Sequence, residues 1–272
     1  MIWSNLEYVT LRLIRRFLFP GALADRLGGL VPYWRVNQGR LNPALIVDAY
    51  ARLLRLGGID LSDGREFRAV ELGSGAANGT GYEWTGRFGG AWTGVEPFAP
   101  FDPRLDAKLL QRARLRSPHA SFENVRRVKT LSELTDSCAD CIVSNSVLEH
   151  VADPLSLFQE CGRILAPNGI MVHRVDYRDH FFKYPFQFLT FPKAIWDNLL
   201  NPGDLPRLRL DDHLRALAQS GFHTDVLERE TDIPNFTAVA PFLAPEFAGR
   251  DPDMLAVTLA ALFCRKAPQL PH

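Results

Sequence analysis

The chain has 272 residues, 46% of them apolar and 23% charged, an ordinary balance for one large globular unit with appendages. Lys+Arg and Asp+Glu each number 31, so the formal net charge is zero and no global basic field points to nucleic acid. The four cysteines are too few and too scattered for a disulfide framework.

Residues 2–19 place Trp3, Leu6, Val9, Leu13, Ile14 and Phe17 at helical spacing, with Arg12, Arg15 and Arg16 breaking the apolar character. This is the pattern of an amphipathic helix ending before Pro20-Gly21. Two roles fit it: packing on the main domain, or a peripheral membrane contact through residues 1–20 along a basic edge. There is no run of about 18 apolar residues for a membrane span, and no compact apolar core with a cleavage site for a signal peptide. Residues 43–57 repeat the helical pattern, with Leu45, Ile46, Ala49, Tyr50, Leu53 and Leu54 on one face.

From about residue 66 short apolar runs alternate with helical patterns. Phe67–Leu72 is expected as a strand, ending in the loop Gly73-Ser74-Gly75-Ala76-Ala77-Asn78-Gly79. Glycines there let the backbone turn at positive φ and pass close to a ligand. Ala91–Glu96 is the next strand, and Glu96 ends it. An acid at that place after a glycine loop accepts hydrogen bonds from ribose hydroxyls. A pyrophosphate would want a third glycine, whereas Ala77 and Asn78 follow, and the Glu71 carboxylate at the mouth of the loop would repel it. A cationic or amine-bearing ligand suits that acid.

Asp140–Asn145 is a third strand. Cys138 and Cys141 form a C-x-x-C around its start, with no partner pair at zinc spacing, so they are expected as plain thiols in a reducing cytoplasm. Asp153 and Pro154 are a helix N-cap and first residue, and Leu155, Phe158, Cys161, Ile164 and Leu165 line one helical face. Gly169–Val175 is a fourth strand. Residues 177–208 then break the rhythm with Tyr177, Phe181, Phe182, Tyr184, Phe186, Phe188, Phe191 and Trp196, as a lid or substrate wall would, or as extra helices packed on the domain would. A helix over Asp211–Ser220 and two closing strands, Thr224–Leu227 and Leu255–Phe263, complete an α/β pattern with a mainly parallel sheet.

The segments A-V-E-L-G-S-G, T-G-V-E-P, D-C-I-V-S-N-S-V-L-E-H-V-A-D-P-L and G-R-I-L-A-P-N-G-I together resemble the class I S-adenosylmethionine-dependent methyltransferases, most closely the type 11 small-molecule group. The resemblance covers roughly residues 66–176. It implies a Rossmann-like, mainly parallel seven-stranded sheet with helices on both faces in a methyltransferase domain over 66–268, and the helical patterns before it form an N-terminal extension over 1–65. It also implies residue roles. Glu71, Gly73, Ser74 and Gly75 would cradle the methionine end of S-adenosylmethionine, Glu96 would hold the ribose, and Asn145 and Ser146 would line the pocket. The acid that meets the adenine amine would fall near Lys129–Glu133, where only Glu133 is offered, late in that stretch.

For the methyl acceptor, His150 and His180 are the leading candidate proton acceptors near strand ends, His180 beside Asp179; His173 and Asp176, on and just after the intervening strand, are further candidates, and transfer with no protein base is the alternative. No carboxylate cluster suggests a metal. N-S-V-L stands where a flipped base would need an aromatic-flanked segment, so a small-molecule or glycan acceptor is expected, with no nucleic acid. The competing expectation is a catalytically inactive cofactor-binding or membrane-associated scaffold on the same fold.

Overall fold

A computed structural model of the chain describes residues 6–10, 12–14, 42–61, 64, 66–179, 184–201 and 205–267. Helix α1 (Pro43–Leu56) starts where the Asn42 side chain accepts from Ala44 N, with Pro43 in its first turn. There follow β1 (Arg68–Leu72), α2 (Gly79–Phe88), β2 (Ala91–Val95), α3 (Pro103–Arg116), β3 (Val125–Val128), β4 (Ala139–Asn145), α4 (Pro154–Ile164), β5 (Leu165–Asp176), α5 (Leu210–Gln219), β6 (Phe222–Thr231), α6 (Ile233–Val239) and β7 (Val257–Lys266).

The seven strands form one sheet in the order β3-β2-β1-β4-β5-β7-β6. All pairs are parallel except those of β7, which runs antiparallel to both β5 and β6. Strand order reverses between β1 and β4, and the carboxyl ends of these two strands flank the crevice that open α/β sheets use for ligands. Each face of the sheet buries an apolar layer. Trp84, Trp92, Cys141, Val143, Val172 and Phe263 pack with Val47, Tyr50, Leu53 and Leu54 of α1 on one side. Val70, Leu72, Ile142 and Met171 pack with Phe158, Cys161 and Ile164 of α4 and Leu217 of α5 on the other.

β3 is absent from the sequence reading. It has only four residues, two of them arginines, and lies on the sheet edge, so no apolar run marks it. The fourth expected strand is longer than Gly169–Val175, and the closing strand begins at Val257 because Asp251 caps a helical turn at Pro252–Leu255 first.

A second apolar cluster lies beside this sheet. It joins Phe186, Phe188, Leu189, Trp196, Leu200 and Leu205 of the aromatic insertion to Phe236, Val239, Phe247 and Leu255. Tyr8, from the helical residues 6–10 and 12–14, belongs to it, its ring stacked on Phe191 at 5.7 Å. Arg12, which the sequence places on a basic edge, is 1% exposed, ion-paired with buried Asp179 and 5.0 Å from the Trp196 ring. Tyr8 Oη donates to the same carboxylate. Leu6 on the same helical stretch faces solvent. Arg15, Arg16 and the rest of 15–41 lie outside the described residues. No helix among the described residues is long and apolar enough to cross a membrane.

Candidate functional site

The loop after β1 is built by two left-handed glycines, Gly73 at φ 70° and Gly75 at φ 67°. Gly73 also has no room for a side chain, because a Cβ there would lie 2.5 Å from Val147 Cγ2. The loops after β1 and β4 thus touch at the switch point of the sheet. Gly75 is different: nothing lies within 4 Å of the place its Cβ would take. Open space beside a bare backbone is what a ligand lying against the loop requires.

Four amides of this loop already have acceptors. Gly73 N and Ser74 N donate to Val95 O at 2.9 and 3.3 Å. Gly75 N donates to Glu96 Oε2 at 2.8 Å, and Asn78 N to Asp106 Oδ1 at 2.8 Å. A phosphate would need these donors free. Glu96 and Asp106, which accept from Gly75 N and Asn78 N, place carboxylates beside the loop, which favours a cation over a diphosphate. The repulsion of a diphosphate expected of Glu71 falls to these two acids instead, because burial favours the neutral form of Glu71 itself.

Glu96 accepts Phe98 N at 3.0 Å and Ala99 N at 2.9 Å as well as Gly75 N. A carboxylate has about four lone-pair positions, so roughly one remains for a ribose hydroxyl. Glu96 is therefore the knot that ties the β1 and β2 loops together. Arg127, on β3, closes the same loop from outside. It donates to Ser74 Oγ at 3.0 Å and to Gly75 O, and its guanidinium lies 5.7 Å from the Phe101 ring. Gly94 makes that reach possible. It stands in register between Glu71 and Arg127, and a Cβ on it would strike Ser74 Oγ at 2.7 Å. Neither Arg127 nor Gly94 was singled out from the sequence; the alternating register of three strands is the signal, and it needs β3 to be recognised.

Glu71 is buried beneath the loop. Desolvation pushes its carboxyl up to about 8, opposed by donors on Thr80, Trp92 and Tyr50 and by the charge of Arg127. The Tyr50 and Trp92 contacts fall outside normal hydrogen-bond geometry, leaving Tyr50 Oη and Trp92 Nε1 without partners. Unpaired buried donors beside a buried acid fit a site that takes an amine: the acid meets the ammonium, and the donors then hold its charge.

At the end of β4, Asn145 is half-buried and accepts from Arg174 Nη1 at 3.4 Å. Ser146 is exposed at φ 54°, an uncommon backbone for serine, with its N donating to Arg174 O at 2.8 Å. A 3-10 turn, Leu148–His150, follows and leaves the His150 side chain exposed. His180 lies outside the described residues. His173 is a core residue, fully buried, sharing a 2.8 Å hydrogen bond with Ser144 Oγ and pushed down to about 3 by burial. Asp176 is half-buried and accepts from Arg178 at 2.6 Å. Glu133 spends its Oε1 on Lys129 N and Thr130 N, both at 2.9 Å, to cap a 3-10 turn.

Glu149 was not singled out from the sequence. It is 2% exposed, neither carboxylate oxygen has a partner, and burial, with Asp176 adding to it, pushes its carboxyl up to about 8. Its one sequence signal is an acid standing alone between Leu148 and Val151. Among the described residues no group of three His, Cys, Asp or Glu is placed to hold a metal ion.

A family model described as a methyltransferase domain matches residues 70–173. A ubiquinone biosynthesis O-methyltransferase of Alkalilimnicola ehrlichii is 27% identical over 222 residues, covering 76% of this chain and 83% of that one. Among solved structures, phosphoethanolamine N-methyltransferase 2 of Haemonchus contortus with S-adenosyl-L-methionine is similar at TM-score 0.51 and 16% identity, over 94% of this chain and 59% of that one. The [4+2]-cyclase SpnF is similar at TM-score 0.50 and 17% identity, over 97% and 96% of the two chains. These two likenesses are of fold alone, and a fold shared with a cyclase does not select a reaction.

Proposed function

We propose, for a chain that belongs to the class I S-adenosylmethionine-dependent methyltransferases of type 11, that the methyl group goes to a hydroxyl oxygen of a small molecule. The enzyme class and the cofactor are the premise, and the acceptor is the inference. When bound, S-adenosylmethionine supplies a methyl group on a sulfonium, ready for in-line displacement. The chain's own work is to bind, align and take up a proton. We assign Glu71, Gly73, Ser74 and Gly75 to the methionine end, Glu96 to the ribose, and Asn145 and Ser146 to the pocket wall. The observation that carries the cofactor assignment is the loop flanked by Glu96 and Asp106, which engage Gly75 N and Asn78 N, while the Cα of Gly75 faces open space.

The oxygen acceptor is supported by the relative named for O-methylation in ubiquinone biosynthesis. Incubation with S-adenosylmethionine and panels of phenols, sugars and amines tests it, with S-adenosylhomocysteine release as the readout. Turnover is expected on hydroxyl oxygens, those of phenols first; turnover confined to amines would refute the oxygen acceptor. His150 and His180 are the proposed proton acceptors. His150 stands exposed on the loop that touches Gly73 through Val147. Replacing the true base by Asn should lower kcat about 100-fold or more near neutral pH, with cofactor affinity unchanged. If both His150→Asn and His180→Asn keep wild-type kcat, no histidine serves as the base.

Glu96→Ala should weaken cofactor binding by tenfold or more, about 1.4 kcal/mol, because it removes a ribose acceptor and unties Gly75, Phe98 and Ala99. Calorimetry reads this directly, and an unchanged Kd would exclude Glu96 from the site.

A further inference from the structure

Side chains from several elements close around Glu71 of β1. Tyr50 comes from α1, Thr80 from α2, Trp92 from β2, and the charge of Arg127 reaches it from β3. Around Tyr50 the other titratable or charged neighbours are Cys141 on β4 and Arg174 on β5. Burial outweighs the donors, so the Glu71 carboxyl, pushed up to about 8, holds its proton at neutral pH when no cation is beside it. Tyr50 is 1% exposed, and its Oη has no hydrogen-bond partner. It lies outside the stretch 70–173 that matches the family model. A buried hydroxyl without a partner is costly and calls for a use.

We propose that Tyr50 is a positioning residue of the cofactor site, its hydroxyl turning to Glu71 to hold it as an anion against the cofactor's ammonium while the proton of Glu71 passes to solvent. This rests on the reading that Glu71 faces the methionine end. The balance is simple. One carboxyl O–H breaks, one ammonium–carboxylate pair forms, and one proton enters the buffer; the ammonium keeps its own protons. Cofactor binding is therefore proton-linked, and it tightens as pH rises.

The test is calorimetry of S-adenosylhomocysteine with the full chain between pH 6 and 7.5, in buffers of different ionisation enthalpy. Wild-type protein should release close to one proton at pH 7 and gain about twenty-fold in affinity across that range. Glu71→Gln should abolish the proton release. Tyr50→Phe should bind about tenfold more weakly at pH 7, with its pH dependence displaced upward. Its thermal midpoint without cofactor should be unchanged or higher, because the substitution deletes a hydroxyl with no partner. Wild-type binding without proton release overturns the proposal, as does a Tyr50→Phe protein with wild-type affinity and pH profile. A Tyr50→Phe protein that loses thermal stability, and loses affinity equally at every pH, has lost packing, which also overturns it. If wild-type protein fails to bind S-adenosylhomocysteine at millimolar concentration, the assignment of the site itself fails, a different result from binding that is pH-independent.

Discussion

At Gly73 two constraints coincide, a φ of 70° and a neighbour, Val147 Cγ2, 2.5 Å from where a Cβ would sit. Gly73→Ala should therefore lose about 1–2 kcal/mol to backbone strain and a similar amount to the clash. Truncating Val147 to Ala should return only the second part. A double-mutant cycle by denaturant unfolding is expected to give a coupling of about 1 kcal/mol between the two positions. Additive effects would mean that the β4 loop simply moves aside. Gly73 was legible from the sequence because a left-handed turn after a strand leaves a glycine behind. Tyr50 and Glu149 were not. Tyr50 reads as one more apolar-face residue of α1, and its hydroxyl gains meaning only where β1 delivers Glu71 against it. Glu149 sits in a motif recognised as a block, so the burial of that single acid had no separate signature.

Among the elements, the apolar runs of β1, β2, β4 and β5 and the capped helices α1, α4 and α5 were readable, since each repeats its own period and stops at its own turn residue. The packing of residues 6–14 was open between two roles, because Arg12, Arg15 and Arg16 are alike in a linear pattern. What distinguishes Arg12 is a carboxylate 167 residues away. Its ion pair with Asp179 is buried on both sides, 1% and 0% exposed. Breaking such a pair strands a charge, so Arg12→Met should destabilise by about 3–5 kcal/mol, whereas Arg12→Met with Asp179→Leu should cost less than the single change. Urea unfolding measures both. A single variant within about 0.5 kcal/mol of wild type would mean that water reaches Asp179.

For the whole molecule, buried titratable groups set the response to pH. His173 and His213 are pushed down by burial to about 3 and about 4, and Glu71 and Glu149 up to about 8 each. Between pH 3 and 4.5 the unfolded chain takes up protons that the folded histidines refuse, so stability rises with pH. From about 4.5 to 6.5 the folded carboxyls keep protons that the unfolded chain releases, and the two effects oppose each other. Above 6.5 only the carboxyls act, and stability falls toward pH 8. Thermal midpoints of the cofactor-free protein should trace that rise, plateau and decline, and Glu149→Gln should flatten the decline. A midpoint that climbs from pH 6.5 to 8 would contradict the burial of these acids. The sheet order carries a consequence for the timing of biosynthesis. β7 follows β6 in the chain yet lies between it and β5. While residues 232–256 are emerging from a ribosome, the five parallel strands can assemble, but β6 has no neighbour to pair with and its backbone groups stay in water. The nascent chain thus carries an unattached ribbon until Val257–Lys266 emerges and slots in antiparallel, pairing with both strands at once. A ribosome stalled in that interval would present a chain whose cofactor loop is formed and whose sheet is still open on one side.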